Sequence, residues 1–302
     1  MTTVQFPKFA GATFPKPLRL WALPAATMLL SAADRLLGGM GSVEANMLAA
    51  VAIVLAGIPH GTLDVEIAAA HFGQTGLVGK TKIIGGYLSC AAAMVLLWRV
   101  IPELALISFL IISIIHFSRD WRGGVDPFLA MMVGWALVAL PALASPHDVA
   151  MIFAALTGSA NGAVIAALLG AASVPAALGS LVFAYWAFVQ HDKQSALEVL
   201  ACIVAALFLP PLVAFALFFC GLHSPRHMAD ALRETGALSP VKKSAIIIAV
   251  FALSLGLGTL MFLYKGDVPA DMSIIRTAFI LISTLTVPHF ILEHLLADKQ
   301  PV

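Results

Sequence analysis

The chain has 302 residues, of which 61% are hydrophobic and 11% charged, and its mean hydropathy is +0.98. An ordinary soluble domain carries roughly 25% charged residues, so no water-soluble fold could cover this much apolar side chain. The 17 Lys and Arg against 16 Asp and Glu leave a formal charge of +1, and that balance, with the apolar excess, excludes a disordered chain or a nucleic-acid partner.

What remains is an integral membrane protein. Its apolar runs are long and continuous, unlike the alternating segments of a barrel, so the spans are predicted to be helices. In chain order, Lys8, Lys16 and Arg19 precede an apolar stretch from Leu20 to Leu30. Ser31-Ala32-Ala33 imitates a cleavage site, but Leu36 and Leu37 continue the run, and it is read as a retained first span. Stretches near 20 residues, broken at Gly, Pro and charge clusters, then place ten candidate spans. They lie at roughly 18–37, 43–59, 82–101, 103–118, 127–144, 172–190, 195–209, 211–232, 243–264 and 273–296. Between the fifth and sixth, Asp148 to Leu156 and Ala163 to Leu169 are too short to span and are broken by Gly158 and Gly162. They are predicted to be short helices at the surface or packed against the bundle. Pro210-Pro211 predicts a tight turn between the seventh and eighth spans. The chain carries no repeat and no linker, so the expectation is one all-α transmembrane domain over residues 1–302.

Basic residues gather on the cytoplasmic side of short loops. With the N-terminus inside, Lys8, Lys16, Arg19, Lys80, Lys82, Arg119, Arg122, Lys193, Arg226, Arg233, Lys242, Lys243 and Lys299 fall on that side. Only Arg35, Arg99, Lys265 and Arg276 fall opposite. This bias predicts both termini in the cytoplasm and a multi-pass protein of the cell's inner (plasma) membrane. Cys90, Cys202 and Cys220 all sit inside apolar runs, where no disulfide framework is expected.

On this map His60, His116, His191, His223, His227, His289 and His294 fall at or near cytoplasmic helix ends. Imidazoles at the ends of such apolar helices need partners, and a shared metal is the economical one. Four local patterns carry the idea. Pro59-His60-Gly61-Thr62-Leu63-Asp64 can end the second span and turn the backbone, and it also suits a His that merely caps carbonyls. His116-Phe117-Ser118-Arg119-Asp120-Trp121 reads alternatively as an interfacial anchor. His223-Ser224-Pro225-Arg226-His227 is the most specific, since residues four apart share a helical face with Cβ atoms about 6 Å apart, which suits two ligands on one ion. Pro225 distorts that turn. In Pro288-His289-Phe290-Ile291-Leu292-Glu293-His294, a supporting role for His289 is as compatible as ligation. Asp64, Asp120 and Glu293 each lie four residues after a His (His60, His116 and His289), so each carboxylate is expected to orient its own imidazole through the distal N–H.

The elements PHGxxD, HFxxD and HSxRH, in that order along so apolar a chain, resemble the Brp/Blh family of membrane β-carotene 15,15'-dioxygenases. The resemblance runs from His60 to the last span, with Ser118 standing where glycine is expected. It implies an Fe(II) enzyme that splits the central double bond of β-carotene with O₂, through a dioxetane or related adduct, into two retinal molecules. It further implies four ligands at the matching His60, His116, His223 and His227, surrounded by Asp64, Asp120, His289 and Glu293.

A neutral hydrocarbon must be recognised by shape and apolar contact within the lipid-embedded bundle. Trp121, Tyr185, Trp186, Phe215, Phe218 and Phe219 are therefore predicted to include tunnel-lining residues. The residues alone leave open a haem-binding electron carrier and a proton-coupled transporter. A di-iron desaturase would need about eight His in several boxes, and this chain has one HxxxH.

Overall fold

A computed structural model describes residues 16–121, 126–263 and 270–297. Among these, fourteen α-helices and no strand are found. They are α1 Lys16–Leu37, α2 Val43–His60, α3 Asp64–His71, α4 Leu77–Val100, α5 Pro102–Ser118, α6 Pro127–Ala144 and α7 Pro146–Thr157. There follow α8 Asn161–Ala171, α9 Ser173–Val189, α10 Lys193–Phe208, α11 Pro211–Phe218, α12 Ser224–Glu234, α13 Pro240–Leu263 and α14 Ala270–Ala297. Two tighter or wider turns interrupt the series: a 3₁₀ turn at Arg119–Trp121 and a π turn at Phe219–His223.

The helix boundaries follow local chemistry. Proline stands in the first turn of α5, α6, α7, α11 and α12, where its fixed φ suits the helix and its missing N–H removes no bond. Ser42, Asp126 and Asp192 accept backbone N–H groups at the starts of α2, α6 and α10. Gly158 ends α7 at φ 70°, a left-handed conformation that glycine adopts without Cβ strain.

Among the described residues, six stretches are long and apolar enough to cross a membrane: Val43–His71, Leu77–Val100, Pro102–Trp121, Pro127–Ala144, Pro240–Leu263 and Asp271–Leu296. A seventh arises if α8 and α9, bent by 41°, count as one span. Of the ten spans expected from the sequence, 18–37, 195–209 and 211–232 are not among these, the last two for a geometrical reason. The 195–209 segment forms the 16-residue α10, which at 1.5 Å per residue reaches about 24 Å, short of a hydrocarbon core of about 30 Å. The 211–232 segment is not one helix, because the π turn divides it into α11 of 8 residues and the polar α12. The region 147–171 does form two short helices, and they pack inward: Phe153 and Leu156 are buried, and a Cβ on Gly162 would meet the Phe153 carbonyl at 2.4 Å.

Small residues allow the helices to approach, as expected where no hydrophobic force acts between them in lipid. A Cβ on Gly134 of α6 would come within 2.3 Å of the Ile114 carbonyl on α5. Ser180 of α9 donates to the Met132 carbonyl of α6 at 3.1 Å. Helix α14 is anchored by Trp98, whose indole N–H donates to Ser283 Oγ at 2.7 Å, and by Tyr87, whose hydroxyl donates to the Leu285 carbonyl at 3.2 Å. The result sets the ends of α2 and α5, the start of α12 and the latter half of α14 around one buried volume.

Candidate metal centre

Three of the four histidine patterns sit at a break in a helix, and the fourth lies on the unbroken α14. Helix α2 ends at His60, and Gly61 and Thr62 both turn back to bond the Pro59 carbonyl. Helix α5 ends two residues after His116 and tightens into the 3₁₀ turn that carries Asp120 and Trp121. The HSPRH pattern begins on the π turn, where the Ser224 N–H bonds the Phe219 carbonyl five residues back. Pro225 follows at the start of α12. The widened turn absorbs the residue that cannot donate, a common use of π geometry at functional sites. Every other letter of that pattern holds it in place. Ser224 Oγ donates to the Ala56 carbonyl of α2 at 2.5 Å, and Arg226 Nη2 reaches Glu198 of α10 at 2.6 and 2.7 Å.

These breaks bring five imidazoles together. Ring centroids lie 4.4 Å apart for His223 and His227, 4.8 Å for His116 and His223, 5.0 Å for His60 and His289, 5.2 Å for His116 and His289, and 5.5 Å for His60 and His223. All five residues are buried. His116 Nε2 and His223 Nε2 face one another at 3.2 Å. Donor atoms of His116, His223 and His227 lie within 4.8 Å of each other, as do those of His60, His116 and His289, and those of His227, His289 and Glu293.

The carboxylates take part, but not with the partners that spacing suggests. Asp120 accepts from His223 Nδ1 at 2.9 Å and from His227 Nε2 at 3.3 Å, not from His116. Asp64 accepts from His289 Nδ1 at 2.8 Å, not from His60. Glu293 stays near its own His289, with Oε1 at 3.4 Å from Nε2, and also lies 3.1 Å from His116 Nδ1, 3.2 Å from His227 Nδ1 and 3.3 Å from Arg119 Nη1. The two corrected pairings share a cause: the i,i+4 rule presumes an unbroken helix, and His60 and His116 are separated from Asp64 and Asp120 by turns.

This donor set fits a bound transition metal. His60 Nδ1 is buried without a hydrogen-bond partner, and His116 Nδ1 and His289 Nε2 have only Glu293, at 3.1 and 3.4 Å and without an aligned hydrogen bond, a costly arrangement for packing alone. Imidazoles without thiolate suit iron, zinc or copper. Among the other histidines, His71 and His191 are exposed, and His294 lies beside Arg119, 3.2 Å from its Nη2.

The family described as beta-carotene 15,15'-dioxygenase matches residues 51–297 of this sequence. This chain belongs to that family. It is similar to a beta-carotene 15,15'-dioxygenase of uncultured marine bacterium 66A03, with 30% identity over 262 residues, covering 84% of this chain and 94% of that protein. No solved structure matches it. The chain is therefore an enzyme of the β-carotene 15,15'-dioxygenase class.

Beside the histidine cluster of this dioxygenase-family chain stands an aromatic wall. Phe219 stacks on His223 with centroids 5.3 Å apart and Phe117 meets the same ring at 4.9 Å. Phe215 stacks on Phe219 and Trp121 on Phe218. Four of the six aromatics singled out in the sequence thus lie together. Tyr185 and Trp186 do not join them, because both point outward from α9, with Tyr185 lining an apolar groove of about 590 Å³ between α9, α10 and Trp21. Ser118, the departure from the family pattern, is buried against Gly134 and donates to the Ile115 carbonyl at 2.7 Å. Sequence reasoning passed over Ser224, Glu198 and Tyr87. The only signal for Glu198 was a lone acidic residue in an otherwise apolar run.

Proposed function

We propose that this protein is an iron-dependent oxygenase that cleaves β-carotene at its 15,15' double bond with O₂, giving two retinal molecules. The observation that carries the reading is the facing pair His116 Nε2 and His223 Nε2, the latter ring held by Asp120 through its opposite nitrogen. A carboxylate behind a ligating imidazole sets its tautomer and raises its basicity. In this reading His60, His116, His223 and His227 hold the iron. His227 lies between Asp120 and Glu293, so ligation exchanges one of those contacts for the metal. When bound, Fe(II) would offer an open position at which O₂ is activated beside the substrate, with no net oxidation of the metal.

The chain's own residues do the rest. Asp120 and Glu293 orient imidazoles, and no nucleophile or general base is required, since one C=C and one O₂ account for two C=O groups. Trp121, Phe215, Phe218 and Phe219 give the hydrocarbon an apolar surface beside the centre, where it has nothing to hydrogen-bond; Tyr185 and Trp186, facing outward, are left out of the tunnel. The distribution of Lys and Arg supports a protein of the inner (plasma) membrane with both termini cytoplasmic, and the centre close to the inner leaflet.

Expression in bacterial cells that accumulate β-carotene tests the reading. Loss of orange colour with appearance of retinal is expected, and His223→Ala or His227→Ala should abolish both retinal and iron content. Retained colour in cells containing folded, iron-loaded protein overturns it.

A further inference from the structure

We infer that His289, on α14, is a fifth nitrogen ligand of the same metal, held for that role by Asp64. The inference rests on the metal reading above and extends it. His289 donates through Nδ1 to Asp64 Oδ2 at 2.8 Å, which in the neutral ring leaves the lone pair on Nε2, and that nitrogen is buried without an aligned hydrogen bond, Glu293 Oε1 lying 3.4 Å away. Its ring lies 5.0 Å from His60 and 5.2 Å from His116, and one donor atom from each of the three falls within 4.8 Å of the others. Of the five imidazoles, His223 and His289 share one feature: Nδ1 is bonded to a buried carboxylate, which leaves Nε2 free to ligate.

Three further features serve the Asp64–His289 pair. A Cβ on Gly61 would approach Asp64 Oδ2 to 3.2 Å and His289 Nδ1 to 3.6 Å, so the glycine of the PHGxxD pattern keeps space for this contact. The Tyr87 hydroxyl interacts with the same Asp64 carboxylate from α4. Asp64 itself opens α3 at the turn after His60, which is what directs it across to α14 instead of back along α2. An alternative in which His289 is a cation between Asp64 and Glu293 sets a positive charge 5.0 and 5.2 Å from the His60 and His116 rings and leaves Nε2 and Glu293 Oε1, 3.4 Å apart, without an aligned hydrogen bond. Ligation satisfies Nε2 and gives the pair its usual purpose.

The test uses full-length purified protein and three variants, His289→Gly, Asp64→Asn and His223→Ala, with iron affinity, helical content and elution volume measured on each. Asp64→Asn should bind iron about 10–100-fold more weakly with the fold unchanged. His289→Gly should lose at least about tenfold and recover on addition of imidazole. With Cu(II) as the probe and ¹⁵N-imidazole as the rescuing ligand, pulsed EPR should show a ¹⁵N coupling in His289→Gly that the wild type lacks. Recovery without that coupling overturns ligation, and so does wild-type iron affinity in His289→Gly while His223→Ala has lost the metal. Wild-type affinity in Asp64→Asn overturns the role of Asp64 even if the glycine variant fails to fold. Wild-type protein that retains no iron overturns the metal reading itself, and this inference with it.

Discussion

Helix α14 and the two broken segments α2–α3 and α5 with its 3₁₀ turn carry the same local signature, a histidine with a carboxylate four residues later, and resolve it differently. On α14 the helix runs unbroken from His289 to Glu293, and the pair stays together at 3.4 Å. At His60 and His116 the helix stops, and Asp64 and Asp120 turn to histidines more than 100 residues away. The difference teaches that four-residue spacing reports a contact only where the intervening turn is α-helical. Where it is not, the same residues become the cross-links that assemble a site from distant helices.

Variants can break or sharpen that contrast. The largest effect is expected at Asp120, whose fully buried carboxylate holds two buried imidazoles. Asp120→Ala should cost about 3–5 kcal/mol of stability, by chemical unfolding in detergent. A double-mutant cycle should couple Asp120 to His223 and not to His116, and coupling to His116 would restore the simple spacing rule. Glu293→Gln comes next, because Glu293 is partly exposed and shares its contacts among His116, His227 and Arg119. Its expected cost is about tenfold in iron affinity, measured by competitive chelation. Gly61→Ala should be milder, about 1 kcal/mol, since Asp64 must give way by only a few tenths of an ångström. The smallest effect belongs to the lipid-facing α13, where among the described side chains only Ser254 and Gly258 are buried. Leu253→Ala there should change stability by less than about 0.5 kcal/mol; a large loss would mean that α13 packs against something beyond this chain.

The contrast between α13 and α14 also shows why some of the architecture was legible. Both are long and apolar, and composition finds both spans. Polar residues in such a helix are expensive, so His289, Glu293 and Thr284 mark α14 as the inward-facing one. The same logic marks His60, His116, His191, His223, His227, His289 and His294, and only the family resemblance narrows them to His60, His116, His223 and His227. It failed on span number, because apolar composition does not separate a crossing helix from α10, which is too short, or from α11, which ends in a π turn. It also did not foresee that Tyr185 and Trp186 lie apart from the other four aromatics, because an aromatic residue in an apolar run suits a protein interior and a lipid face equally well.

The amino-acid sequence alone determined that the protein lies in a membrane, that its elements are helices, and that histidines from three ordered patterns are the candidates for its chemistry. Those conclusions follow from the cost of burying polar groups, which depends on residue type and not on neighbours. Only the tertiary structure decided which carboxylate serves which imidazole, and that His289 joins the cluster. Those contacts depend on where helices break and how closely small residues let them approach, and both are settled by packing between segments far apart in the chain.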